Sequence, residues 1–341
     1  SARPTPAVPV VGTPRTVAPV PVAAATPAPE ASADRAPVRT FATIGAPGAP
    51  WGIVTAHDGT VYVGTDNGTA NGGTTPSVVM AFRADGTLAR TYAVAGQPDG
   101  HADGLTGLAL DGTGGLVALD EPTSRVLRLD LETGTQSTLA TVPDVPPCTP
   151  LASSACEPGP LDHAPVLRAV APDGRGGLLV TDAGQATVWR VPVAGGPAQV
   201  WYQSADLAIG DGPAGLTVAG GRVLLTVGTT VDPNALVAPA LYALAIGADG
   251  TAGARTLVTA FARGEAPQGV VAAASGRIYV ALQGADAVAV VGPDGVVQQR
   301  LSGEFDAPAG LALRKGSLLV ANTSRTGKWT VVDVAVPESG S

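Results

Sequence analysis

Lysine is almost missing from this chain. Lys315 and Lys328 are the only two among 341 residues, and arginine carries the remaining positive charge, a bias that fits GC-rich bacterial coding rather than a function. No Lys/Arg cluster offsets the net charge of −8. That excludes nucleic acid as a partner, because phosphate binding needs a basic field. Long apolar runs are missing too, and with no stretch of about 18 such residues the sequence predicts no helical membrane span. Cysteine is down to Cys148 and Cys156. No histidine stands near them at metal-ligand spacing, so a metal site there would lack its further ligands. No G-x-S-x-G phrase marks a nucleophilic serine.

What the chain has instead is 45 glycines, 31 prolines and 45% hydrophobic residues, with aromatics at only 4%. Turns must be frequent, and the core must be built from Val, Leu and Ala, which leans towards an all-β fold. One large domain is within reach, since a domain of about 300 residues hides roughly 75% of the surface its unfolded chain exposes.

The phrase "APAGLALRKGSLLVANTS" from Ala307 nearly repeats "APQGVVAAASGRIYVALQG" from Ala266. It returns as "APWGIVTAHDGTVYVGTD" from Ala49, "DGLTGLALDGTGGLVALD" from Asp103, "APVLRAVAPDGRGGLLVTD" from Ala164 and "GPAGLTVAGGRVLLTVGTT" from Gly212, six copies in all. Each copy opens with a turn, often Pro-x-Gly. A short apolar strand, a Gly or Asp-Gly turn and a second strand follow, and Asp-Gly between apolar runs is a hairpin signal. Third strands such as "RVLRLD" and fourth strands such as "TQSTLATV" complete most copies. Four antiparallel strands at this period describe a β-propeller blade, and six copies describe a six-bladed ring.

The sixth copy ends after "KWTVVDVAV" with no fourth strand, while "VRTFATIG", Val38 to Gly45, stands before the first blade with no blade of its own. This N-terminal segment is expected to supply the outer strand of the last blade and close the ring, removing an exposed edge. The expected organisation is a Pro/Ala-rich arm over 1–37, a propeller over 38–337 and a tail over 338–341. An arm of this composition is extended when alone. It is expected to lie along the propeller or a neighbouring subunit, or to meet a protein partner. Such tracts often follow a cleaved export signal or a lipidated N-terminus. The chain is therefore expected outside the cytoplasm, secreted or held at the cell surface, with a lipid anchor on a residue before Ser1 as one route. A bond between Cys148 and Cys156 agrees with that, and its short loop would contribute roughly 2.5 kcal/mol in the chain-entropy model.

"GLALDGTGGLVALDEPTSRVLRLD" and "AVAPDGRGGLLVTDAGQATVWRVP" resemble the blades of the senescence-marker-protein/gluconolactonase/strictosidine-synthase-like superfamily of six-bladed propellers and its NHL-repeat relatives. The chain is similar in particular to exported actinobacterial members with a short Cys-Cys loop before the third blade. In the lactonase branch the resemblance implies a divalent cation at the channel mouth, held by inner-strand side chains and able to polarise a lactone carbonyl or activate water. The corresponding positions here read Trp51, Thr106, Val166, Ala214, Gln268 and Ala309. None is anionic, so no metal and no other cofactor is expected there.

Other polar residues gather at the same rim. Asp66, Asp120, Glu121, Asp182, Gln283 and Asn322 end second strands, and His101, Asp103, His163 and Asp211 lie in connecting loops. One reading makes them a displaced calcium or zinc site, with Asp120 and Asp182 as ligands, or an acid/base pair using His101 or His163 beside a carboxylate. The other makes the strand-end Asp and Asn turn caps bonded to nearby backbone. Trp51 could plug the channel or stack on a small molecule at its mouth. Two functions stand side by side: a binding module without the lactonase metal, and a lactonase-type hydrolase with a rearranged cation site.

Overall fold

The computed structural model describes residues 33–35, 37–45, 48–149, 155–158, 162–208, 212–228 and 238–336. The chain divides into two units, 1–30 and 31–341, and every described residue belongs to the second. Asp211 lies outside the described residues.

Strands β1 (Ala33–Arg35) and β2 (Val38–Thr43) precede six sheets. Blade one comprises β3 (Ala49–Thr55), β4 (Val61–Asp66), β5 (Val78–Phe82) and β6 (Leu88–Ala93). Blade two runs through β7 (Leu105–Leu110), β8 (Gly115–Asp120), β9 (Arg125–Asp130) and β10 (Gln136–Thr141). Blade three has β11 (Leu167–Pro172), β12 (Gly177–Asp182), β13 (Thr187–Pro192) and β14 (Gln199–Gln203). Blade four holds β15 (Pro213–Ala219), β16 (Arg222–Val227), β17 (Ala240–Ile246) and β18 (Ala252–Ala260). Blade five is built from β19 (Pro267–Ala272), β20 (Ile278–Leu282), β21 (Ala287–Val291) and β22 (Val297–Ser302). Blade six contributes β23 (Pro308–Arg314), β24 (Ser317–Asn322) and β25 (Thr330–Ala335). Helical structure among the described residues is confined to single 3-10 turns, as at Glu121–Thr123.

The ring closes as the sequence predicts. Antiparallel pairing runs from Val38 against Val334 to Thr43 against Thr330, so β2 is the outer strand of blade six. Arg39 fixes that register with two hydrogen bonds to the buried Asp333 carboxylate, at 3.1 and 2.6 Å. The arm contributes a strand that the repeat pattern does not announce. β1 lies parallel to β22, Ala33 against Arg300 and Arg35 against Ser302, and gives blade five a fifth strand.

Six hydrophobic clusters alternate with the six blades. One joins Leu119 and Val126 of blade two to Leu178 and Trp189 of blade three, and another joins Val61 and Phe82 to Leu319 and Val331 across the closing seam. Because each blade is covered on both faces, second strands such as β8, β12 and β24 are buried at every position. Such strands read as continuous apolar runs rather than alternating ones.

The inner strands explain the Pro-x-Gly phrase. A Cβ on Gly310 would collide with the backbone carbonyl of Trp51 in the next blade, and the other inner-strand glycines face similar crowding. Threonines then tie neighbouring blades: Thr106 donates to Leu167 O at 2.8 Å, Thr181 to Ala214 O at 2.7 Å and Thr226 to Gln268 O at 2.7 Å.

Candidate functional site at the channel mouth

Each inner strand carries a break in register just after its start, as between Leu105 and Leu108 or between Leu167 and Val170. Aligning the breaks sets one side chain per blade at the channel: Trp51, Thr106, Arg168, Ala214, Gln268 and Ala309. In blade three the channel residue is thus Arg168 and not Val166, a correction of two positions. The small residue that follows is Ala169 there and glycine in the other five blades, so "APVL" offered a false anchor at Pro165.

These residues line a cavity of about 80 Å³. Its walls differ from side to side. The Arg168 guanidinium lies over the Trp51 ring, 5.7 Å from its centroid. On blades five and six, Gln268 donates to Gln283 at 3.2 Å, Gln283 to Thr323 at 3.3 Å, and Thr323 to Ala307 O at 2.7 Å. Ala214 and Ala309 make the remaining wall apolar.

The strand-end residues separate into two groups. Asp120, Asp182 and Asn322 occupy the same register position and are buried. Asp120 accepts from Gln97 Nε2 at 2.7 Å, from Thr123, and from Arg125 Nε and Nη2 at 3.0 and 2.6 Å. Asp182 accepts the Val166 and Gln185 amides at 2.9 and 3.1 Å on one oxygen. Its other oxygen takes Gln185 Nε2 at 2.7 Å and Trp189 Nε1 at 3.0 Å. Burial nevertheless lifts its carboxyl above the usual range. Asn322 receives the Asp306 amide and donates to Glu304 O and Thr330. Asp182 caps its turn through the Gln185 amide, Asn322 bonds backbone groups of the preceding loop, and Asp120 is held by side chains alone; each has its polar atoms occupied by protein.

One position further on stand Asp66, the last residue of β4, and Glu121, the first residue after β8, both beside Gly104. A Cβ on Gly104 would lie 2.6 Å from Asp66 Cα and 2.9 Å from its Oδ1, and the Glu121 amide donates to Gly104 O at 3.2 Å. Asp103 precedes that glycine. His101, 8% exposed, bonds the Asp103 carbonyl through Nδ1, while its buried Nε2 has no partner. Burial raises the Asp66 carboxyl, opposed by the Gly68 amide, which it accepts at 2.9 Å, and Asp103 raises it further. Burial also pushes Glu121 up to about 7, with Asp103, Asp66 and Asp120 adding repulsion and Arg168 opposing it. His163 belongs elsewhere, since its ring meets Glu157 Oε1 at 2.5 Å just past the disulfide loop. Cys148 and Cys156 are bonded there.

The donor set does not fit the lactonase cation. The channel positions present a guanidinium, and Thr106 spends its hydroxyl on Leu167 O. Among the described residues no three His, Cys, Asp or Glu side chains converge on a point where a metal could sit. Asp120 and Asp182, the residues expected at a displaced site, have both carboxylate oxygens taken by protein donors.

No family model matches the chain, and no curated protein matches it. Solved structures do match. The gluconolactonase of Xanthomonas campestris is 17% identical, with a TM-score of 0.60 over 89% of this chain and 90% of that one. The calcium-binding protein regucalcin of Agrobacterium tumefaciens is 16% identical, with a TM-score of 0.59 over 87% and 96%. The PQQ-bound aldose sugar dehydrogenase of Streptomyces coelicolor is 16% identical, with a TM-score of 0.60 over 90% and 100%. The chain shares the six-bladed fold of the gluconolactonase and regucalcin propellers. At these identities the likeness concerns the fold alone, and folds of this kind host unrelated chemistries.

Proposed function

We propose that the chain is a binding propeller that takes a small polar ligand at its channel mouth and does not use the lactonase cation. The observation that carries this reading is Arg168, a guanidinium with no ion pair among the described residues, standing in the ring of channel positions where a cation's ligand would be needed. A positive charge there repels a divalent ion, and hard cations keep their hydration shells when protein ligands are few and neutral. Export is part of the proposal, supported by the Cys148–Cys156 bond, since such bonds persist in oxidising compartments. Partner binding through the arm now concerns residues 1–32, outside the described residues, because Ala33–Arg35 joins the chain's own blade five.

Ligands that bind only the folded state raise the unfolding midpoint with the logarithm of their excess over Kd. Thermal unfolding with a panel of amino acids, hydroxy acids and sugars, beside calorimetric titration with calcium and zinc, tests the reading. A midpoint raised by a panel member, and unraised in Trp51→Ala, is the expected result. Micromolar metal binding together with metal-dependent lactone hydrolysis would overturn it and favour the hydrolase.

A further inference from the structure

Two opposite kinds of charge stand unpaired at the mouth. Among the described residues Arg168 makes no hydrogen bond or ion pair; it lies over Trp51 and feels the charge of Glu121 without contacting it. The carboxylates of Asp103 and Glu121 accept no hydrogen bond either, although the Glu121 backbone is bonded to Gly104. Elsewhere, among the described residues, the carboxylates that are buried or half-buried are committed, as Asp111 is to Arg128 at 2.6 Å, Asp173 to Arg190 at 2.7 Å and Glu265 to Arg300 at 3.1 Å, and the uncommitted ones are exposed. The mouth is the exception. A second, separate sign of an incomplete site is His101, whose buried Nε2 lacks a partner next to Asp66.

The chemistry of the ligand follows from what would satisfy both poles. An anion alone would pair with Arg168 but meet the field of Asp66, Asp103 and Glu121. A cation alone would meet Arg168. A neutral molecule would displace water from both poles and leave them desolvated without counter-charge, which is costly. A molecule carrying both charges is complementary to both. Resting on the binding reading above, we infer that the channel mouth takes a small zwitterion of the amino-acid class, its carboxylate on Arg168 and its ammonium among Asp66, Asp103 and Glu121.

The planar guanidinium presents a fork that matches a carboxylate, and stacking on Trp51 holds that plane in place. The Gln268–Gln283–Thr323 chain faces the ligand's body with amide groups, while Ala214 and Ala309 leave room for it. Binding is coupled to protons. Glu121 is felt by Asp103, Asp66, Asp120 and Arg168, and His101 lies beside Asp66. An ammonium favours the ionised Glu121, so a proton competes with it and affinity falls as pH drops below about 7.

Calorimetry of the full chain at low salt and pH 8 tests this with individual L-amino acids. Ethylamine and propionate serve as the two halves, and glucose as the neutral control. At least one amino acid should bind 10-fold or more tightly than either half. Arg168→Gln should weaken that binding at least 10-fold, and Arg168→Lys, with an unchanged unfolding midpoint, should weaken it less. Lowering pH from 8 to 6 should weaken it several-fold in the wild type and much less in Glu121→Gln. Glucose binding as tight as any amino acid, and lost in Trp51→Ala, would overturn the zwitterion while leaving the binding reading intact. Silence across the whole panel, halves and sugar included, would overturn both.

Discussion

Asp120 and Glu121 stand side by side at the end of β8, yet the Asp120 carboxylate accepts four hydrogen bonds and the Glu121 carboxylate none. Asp182 repeats Asp120 in the next blade, and Asp66 repeats the place of Glu121 in the blade before. In blade two one step therefore separates a carboxylate that builds the blade from one with no hydrogen bond among the described residues, whereas Asp66 is buried and accepts the Gly68 amide. Acidity at a strand end says nothing about function until register assigns its partners. The difference also sorts the polar rim: residues spent on the protein belong to stability, and the half-buried residues left unspent are the ones the proposed ligand would need.

The largest effect that could break this division is at Asp182. Asp182→Ala leaves two backbone amides and the Trp189 ring N–H buried without an acceptor, removes one of the two acceptors of Gln185 Nε2, which keeps Pro143 O, and should cost about 3–5 kcal/mol. Asp182→Asn should cost nearly as much, because its amide nitrogen would confront two donors on the side that now accepts Gln185 Nε2 and Trp189 Nε1. Denaturant unfolding should show a lower midpoint with an unchanged slope. Near-wild-type stability in both variants would erase the distinction between spent and unspent carboxylates.

Glu121 should behave in the opposite way. Its folded-state value of about 7 lies above the ordinary 4.5, so the folded chain holds this proton more tightly than the unfolded one. Below pH 4.5 the group is neutral in both states and contributes nothing to the pH dependence. Between 4.5 and 7 the wild type therefore loses stability relative to Glu121→Gln, and above 7 the gap is constant. With solvent reaching a half-buried carboxyl, the gap should be on the order of 1 kcal/mol. Unfolding midpoints of the pair measured from pH 4 to 8 would reveal it, and parallel curves would place Glu121 among the spent residues.

Much of the fold was legible because its physics repeats. Crowding at Gly310 and its counterparts imposes Pro-x-Gly on blade after blade, and the missing fourth strand of blade six had one candidate, Val38 to Gly45. β1 was not legible, since Ala33–Arg35 is too short to show a strand period and earns its place only by lying beside β22. The site was legible as a list and not as an arrangement. Trp51, Thr106 and Gln268 were placed at the channel by their phrases, whereas Arg168 was hidden because Ala169 replaces the glycine that marks the register elsewhere. The bonded Asp120, Asp182 and Asn322 could not be told from the unbonded Glu121 without knowing where each strand's pairing ends.

The smallest effect concerns the two histidines that the sequence offered as acid/base candidates. His101 is buried beside Asp66 and Asp103 with Nε2 unpartnered, whereas His163 leaves 46% of its side chain exposed against the buried Glu157. His163→Gln keeps a donor for Glu157 Oε1, and the backbone amide of residue 163 still donates to Oε2 whatever the side chain. A half-exposed pair of this kind contributes little, so the change should cost less than about 1 kcal/mol. Because the disulfide loop holds His163 through Glu157, the same variant should leave the response to amino acids at the mouth unaltered. His101→Gln should weaken that response, since it changes the one buried nitrogen that the protein leaves open next to Asp66. Equal loss of ligand response in both variants would join the two histidines into one site and undo the boundary drawn at Glu121.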